Sequence, residues 1–202
     1  RAFLLGAAVF LVFALVLEQR AHQLILGGPA GGVITGDLGL YALYGGLMAG
    51  LFEETGRFAA FQLLRRSGKG GTPQDALIYG AGHGGMEAVL LVGLTNVSNL
   101  LLSFWLNTGT LEQHMGQLDD AAAQALAAAV AAPPHTYLWG GLERIVAVAI
   151  HISLSVLVWR AVERRASLWL FPAGVELVAL VWAVALAVLA RWIWRQREKK
   201  SL

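Results

Sequence analysis

Long apolar runs constrain this chain more than any other feature. About twenty mostly apolar residues match the ~30 Å hydrocarbon core of a bilayer, and a helix can cross there because it satisfies its own backbone. Five such runs are readable, at about 2–26, 38–64, 73–107, 137–162 and 168–194. Composition agrees: the 202 residues are 57% hydrophobic and 14% charged, whereas soluble domains carry about 25% charge. The reading is an all-α, polytopic transmembrane helix bundle, with about five spans plus an interfacial helix, forming a single integral-membrane domain over 1–202. The chain begins at Arg1 without a methionine, so upstream sequence, including a further span, is expected.

Charge and cysteine narrow the function. The formal net charge is +2, and the basic residues gather at the ends of apolar runs. That pattern reports orientation in a lipid bilayer and points away from nucleic acid as a partner. There is no cysteine, which excludes disulfides, thiol nucleophiles and Cys-ligated metals. The positive-inside rule places the loops at 65–71 and 160–167 in the cytoplasm and the acidic 107–135 connection outside. The expected location is a bacterial or archaeal plasma membrane. Thr72-Pro73-Gln74-Asp75 reads as a helix start, with Thr72 at N-cap and Pro73 at N1. The 73–107 run is too long for one perpendicular span, and Gly93 and the Asn96/Asn99 region are its candidate break points. The alanine-rich stretch at 119–132 reads as an external or interfacial helix closed by Pro133-Pro134.

Against this background Glu53, Glu54 and Arg57 stand out, because each charge deep in a span costs roughly 2.5–3.5 kcal/mol on insertion scales. Other segments carry residues at the same depth. Glu54 precedes Arg65 by 11 residues and His83 follows Thr72 by 11, each about 16 Å of helix. His151 precedes Arg160 by 9 residues, about 13 Å. Three segments therefore place ionisable groups in one layer near mid-membrane, open toward the cytoplasmic half. Glu53 and Arg57 are spaced to pair as i, i+4, as are His83 and Glu87 on their own helix. Glu143-Arg144 reads as an interface pair near the outer face, Glu18, Arg20 and His22 as interfacial, and Trp139, Trp159, Trp169, Trp192 and Trp194 as aromatic belts.

The ordered motifs Glu53-Glu54-x-x-Arg57, Tyr79-x-x-x-His83 and His151-x-x-x-Ser155 resemble those of the glutamic intramembrane proteases of the CAAX-protease and bacteriocin-processing superfamily. The runs Gly50-Leu-Phe-Glu-Glu-Thr-Gly-Arg57 and Gly82-His-Gly-Gly-Met-Glu-Ala88 look most like its YhfC-type branch. The resemblance covers roughly residues 40–160. It departs from the prenyl-protease branch in placing arginine three rather than four residues after the second glutamate. Tyr79 also stands where phenylalanine is usual and Ser155 where asparagine is common.

The resemblance implies an endopeptidase cutting membrane-protein or lipidated peptide substrates. Glu53 would activate a water with His83 as its partner, while His151 and Ser155 stabilise the oxyanion. Glu54, Arg57, Glu87 and Tyr79 would support them. This reading expects no cofactor and no metal. Zinc is the alternative, since a His/Glu set can bind it, although Glu53, His83 and His151 form no standard zinc spacing. Two other functions fit a buried polar layer: a proton- or ion-coupled transporter, against which the absence of an inverted repeat counts, and a non-catalytic scaffold or immunity protein.

Overall fold

The computed structural model describes residues 1–68, 71–116 and 119–164. The run at 168–194, Arg165, Glu176, the basic tail and Trp169, Trp192 and Trp194 lie outside the described residues. Among the described residues the chain is entirely helical. Helix α1 spans Ala2–Leu26, α2 Gly31–Gly36, α3 Leu38–Arg66, α4 Pro73–Thr108, α5 Leu111–Met115, α6 Asp120–Ala131 and α7 Pro134–Glu163.

Three of these are long and apolar enough to cross a membrane: Ala2–Leu26, Pro73–Thr108 and the His135–Glu163 portion of α7. Helix α3 has comparable length, 29 residues, and carries Glu53, Glu54 and Arg57. The 73–107 run does not break at Gly93. It continues through a π-helical turn at Ala88–Gly93, directly after Glu87. A second π-helical stretch, Phe10–Glu18, lies within α1. Such widened turns are frequent at functional sites. The glycine-rich connection after α1 is not all loop, since α2 forms within it.

Local chemistry explains the helix ends. Asp37 caps α3 by accepting from the Leu40 amide at 2.8 Å. Thr72 and Asp75 close a reciprocal capping box on α4, with Pro73 at the first helical position. The amide of Ala122 donates to Asp119 at the start of α6.

Helices α1, α3, α4 and α7 pack around one core. Its lower part joins Ala2, Phe61, Leu64, Ala76, Tyr79, Val158, Trp159 and Val162. Arg65 ties this end together by donating to the Val162 carbonyl at 2.7 Å. Trp159 donates its ring N–H to the Gly71 carbonyl at 2.7 Å and is only 5% exposed. Its packing under the α3–α4 loop corrects its reading as a belt residue; Trp139, 64% exposed, keeps that character. Two close approaches set the helix spacing around His83. A side chain at Gly82 would collide with the backbone of Phe3 in α1, and one at Gly80 would stand 2.5 Å from the Ile152 Cα in α7.

Candidate active site within the membrane

Glu53 on α3, His83 on α4 and His151 on α7 meet in the middle of this bundle. The Glu53 Oε2 atom lies 3.0 Å from His83 Nε2 and 3.6 Å from His151 Nδ1. The two imidazole rings sit 4.9 Å apart between centroids. His83 is fully buried, walled by the edge of Phe10 and by Tyr79.

A buried ion pair stands behind this trio. Arg57 is 0% exposed and Glu54 4%, and the guanidinium pairs with the Glu54 carboxylate. Its Nη2 donates to His151 Nδ1 at 3.0 Å and remains 3.9 Å from Glu53. The spacing of Glu53 and Arg57 suggests a pair, and they form one at 3.9 Å; Glu54 holds the arginine more closely, and Glu53 also faces the histidines. The fork of a guanidinium explains the choice, since one end can hold Glu54 while the other reaches His151.

A second chain of charge approaches His151 from the opposite edge. His151 Nε2 lies 2.5 Å from Glu87 Oε2, and Arg144 reaches Glu87 Oε1 at 2.5 Å. Arg144 also donates through Nε to Glu143 at 3.1 Å. Glu87 thus serves His151 and not His83, the partner that i, i+4 spacing offered. Arg144 belongs to this network, where the sequence suggested only an outer interface pair with Glu143. The available signal was spacing: Arg144 precedes His151 by two helical turns, on the same face of α7.

The remaining members of the motifs behave differently. The Ser155 hydroxyl is buried and donates to the His151 carbonyl at 2.6 Å, so its hydrogen is committed to its own helix. Tyr79 is 0% exposed, and its ring lies 4.8 Å from that of Phe61. Its hydroxyl, with Glu54 Oε2, Arg57 Nε and His83 Nδ1, is a buried polar atom without a hydrogen-bond partner. Glu18, expected at an interface, is 7% exposed. It forms an ion pair with His22 at 3.2 Å, and His22 Nδ1 lies 2.7 Å from the Tyr44 hydroxyl. Arg20 donates to Gln23 on the exposed side of α1.

The donor set can hold a metal ion. Glu53, His83 and His151 each offer one ligand atom, all within 4.8 Å of one another. Three donors about 2.0–2.2 Å from a common ion stand at such separations, and two imidazoles with one carboxylate match an open catalytic zinc site. Charge points the same way. The carboxylates of Glu53, Glu54 and Glu87 face the guanidiniums of Arg57 and Arg144, three negative charges against two positive.

The helical bundle, with His83 buried and Glu53 and His151 half-buried inside it, defines a membrane protein with a polar site among its helices. The family described as YhfC intramembrane metalloprotease matches residues 1–197, and the chain belongs to it. It is 37% identical over 174 residues to the "Uncharacterized membrane protein YhfC" of Bacillus subtilis (strain 168), a match covering 84% of this chain and 66% of that protein. The chain thus spans just under two thirds of that relative's length. No solved structure matches it.

These findings correct the expectation of a site without a cofactor. The family's description names a metalloprotease, and the three ligand atoms converge. The sequence concealed this because the ligands come from three separate helices, and no short spacing motif records such a set.

Proposed function

We propose that this chain carries the catalytic core of a metal-dependent intramembrane endopeptidase, cutting membrane-protein or lipidated peptides within a bacterial or archaeal plasma membrane. The observation that carries the reading is the convergence of Glu53, His83 and His151 from three helices onto one point inside an otherwise apolar bundle. A transporter or scaffold would not require that convergence.

His83 through Nε2, His151 through Nδ1 and Glu53 through Oε2 would hold the metal. Bound there, it would supply Lewis-acid polarisation of the scissile carbonyl and acidify a water. The chain's own groups do the rest. All the close contacts of Glu53 run through Oε2, which leaves Oε1 to receive a proton from the attacking water. The hydroxide adds to the carbonyl carbon, the C–N bond breaks, and the proton passes from Glu53 to the leaving amine. Glu87, beside Nε2, orients His151; Arg57, which donates to Nδ1 in this structure, keeps the ring hydrogen off that nitrogen and would give up the contact when Nδ1 takes the metal. Ser155 stiffens the turn of α7 that carries His151; with its hydrogen turned to the helix, it supplies packing in place of the oxyanion contact that the motif suggested. Tyr79 and Glu54 are supporting residues.

Purified full-length protein in lipid should cleave membrane-anchored peptides, and Glu53→Gln should remove that activity while leaving the protein folded. Undiminished cleavage by Glu53→Gln would overturn the assignment.

A further inference from the structure

We infer that water and the peptide segment to be cut reach Glu53 from the end of the bundle opposite Arg65 and Arg66, through a polar mouth lined by Glu18, His22, Tyr44, Glu87 and Arg144. The inference rests on the protease reading for the identity of the occupant, but the geometry of the mouth stands apart from it. It reverses the expectation of a site opening toward the cytoplasmic half.

The direction follows from helix pairing. Gly56 on α3 faces Val9 and Phe13 of α1, while Tyr44 on α3 meets His22 of α1, so these helices run antiparallel. Along α4 and α7, Gly80 faces Ile152, Gly84 faces Val148, and Glu87 meets Arg144, again antiparallel. Moving away from the Arg65 end, one therefore passes upward through Glu87 on α4, Arg144 on α7, Tyr44 on α3 and Glu18 on α1. By helix rise these lie about 6–13 Å beyond the catalytic layer.

Burial changes at that layer on α4 and α7, while Glu18 (7% exposed) on α1 and Met48 (8%) on α3 stay buried beyond it. On the Arg65 side the bundle is closed by Phe61 (1% exposed), Tyr79 (0%), Ala76 (0%) and Val158 (2%). On the far side, no described residue of α4 after Gly84 or of α7 before Ser155 is buried. The site's own side chains keep some exposure, 15% for Glu53, 12% for His151, 14% for Glu87 and 17% for Arg144, although the layer beneath them is sealed. The Glu18 carboxylate lies within electrostatic reach of both Glu53 and Glu87, which joins the α1–α3 cluster to the site.

Chemistry identifies the occupant. A peptide must be extended to expose its scissile bond, and an extended backbone at membrane depth is tolerated only beside protein polar groups or water. The far side offers such groups on all four helices, whereas the near side offers alkyl and aromatic groups. With Arg65, Arg66, Arg160 and Arg164 at the near end, the positive-inside rule puts the mouth on the outer half of the membrane.

The cysteine-free chain allows a direct test. Single variants Tyr44→Cys, Glu143→Cys, Ala76→Cys and Val158→Cys are made in the full-length protein and treated with a membrane-impermeant maleimide in right-side-out and inverted vesicles. Each variant is accepted only if its thermal unfolding matches the parent. Labelling of Tyr44→Cys and Glu143→Cys in right-side-out vesicles is expected, with none at Ala76→Cys or Val158→Cys until the protein is unfolded in SDS. Labelling of Ala76→Cys or Val158→Cys in the folded protein, or of Tyr44→Cys only in inverted vesicles, would overturn the inference. A bulky maleimide on Tyr44→Cys is also expected to abolish peptide cleavage; full cleavage by the stoichiometric adduct counts against the mouth. Were the parent itself inactive, the protease reading would fail while the labelling pattern still decided the entrance.

Discussion

Arg57 donates a hydrogen bond to Nδ1 of His151 across 3.0 Å. A guanidinium has no acceptor, so this contact requires a lone pair on Nδ1 and places the ring hydrogen on Nε2. Nε2 lies 2.5 Å from Glu87 Oε2. One buried arginine thus holds the lone pair that a metal would take and keeps it free of a hydrogen, while its other end pairs with Glu54.

Replacing Arg57 separates these two roles. Arg57→Ala leaves the Glu54 carboxylate buried and unpaired, and breaking such a pair costs about 3–5 kcal/mol. Arg57→Lys keeps the charge but cannot span Glu54 and His151 together, so it is expected to fold while losing cleavage. Thermal unfolding in detergent alongside a peptide-cleavage assay checks both. Arg57→Lys with parental cleavage would show that the His151 contact is idle.

The two adjacent glutamates should respond oppositely. Glu53→Gln keeps shape and removes the proton acceptor, so cleavage should fall by about 10²–10⁴-fold with little change in unfolding temperature. Glu54→Gln strands part of the Arg57 charge away from water, so its main effect should be a lower unfolding temperature. Equal behaviour of the two variants would remove the division of labour between them.

Metal dependence follows from the donor set. Treating the full-length protein with a strong chelator should abolish cleavage, and adding back zinc should restore it. Bound zinc, measured by elemental analysis, should approach one per chain and vanish in His83→Ala. Glu87→Gln weakens the hold on His151 without touching a ligand atom, and should reduce metal affinity by about 10–100-fold. Elemental analysis reads this independently of activity. Chelator-resistant cleavage, with no metal retained by the parent, would exclude the metal-dependent mechanism.

The parts of this molecule that sequence makes legible are those decided by local chemistry or by counting along a helix. The Thr72–Asp75 capping box needs only four neighbouring residues, and the layer holding Glu53, His83 and His151 follows from helix rise and segment ends. Which of the two glutamates holds Arg57 more closely is not legible. Both glutamates are within reach along α3, and the choice is made by imidazoles arriving from α4 and α7. The role of Arg144 is hidden for the same reason: its neighbour Glu143 is an obvious partner, while Glu87 is distant in the chain. A tryptophan near a helix end such as Trp159 fits an aromatic belt equally well in sequence, and only the Gly71 carbonyl beside it shows otherwise. Convergence of ligand atoms is a property of packing, and the spacing of residues along the chain does not encode it.

The glycines that allow the packing provide the last prediction. Gly80 admits α7 so closely that an added Cβ would stand 2.5 Å from the Ile152 Cα and 2.9 Å from the His151 carbonyl oxygen. These are backbone atoms and cannot rotate aside, so Gly80→Ala must push α7 away from α4. Overpacking of this kind costs about 1–3 kcal/mol, and the displacement falls directly on His151. Gly80→Ala should therefore lower the unfolding temperature and weaken metal retention together. Gly85 has nothing within 4 Å of its would-be Cβ, so Gly85→Ala should leave metal retention unchanged and, by removing a flexible residue from mid-helix, stabilise α4 by up to about 1 kcal/mol and so hold or raise the unfolding temperature. The paired measurement distinguishes a specific helix contact from a general sensitivity of this glycine-rich turn: similar losses in both variants would mean that α4 tolerates no side chains here, and that the close approach to α7 is not what holds His151 in place.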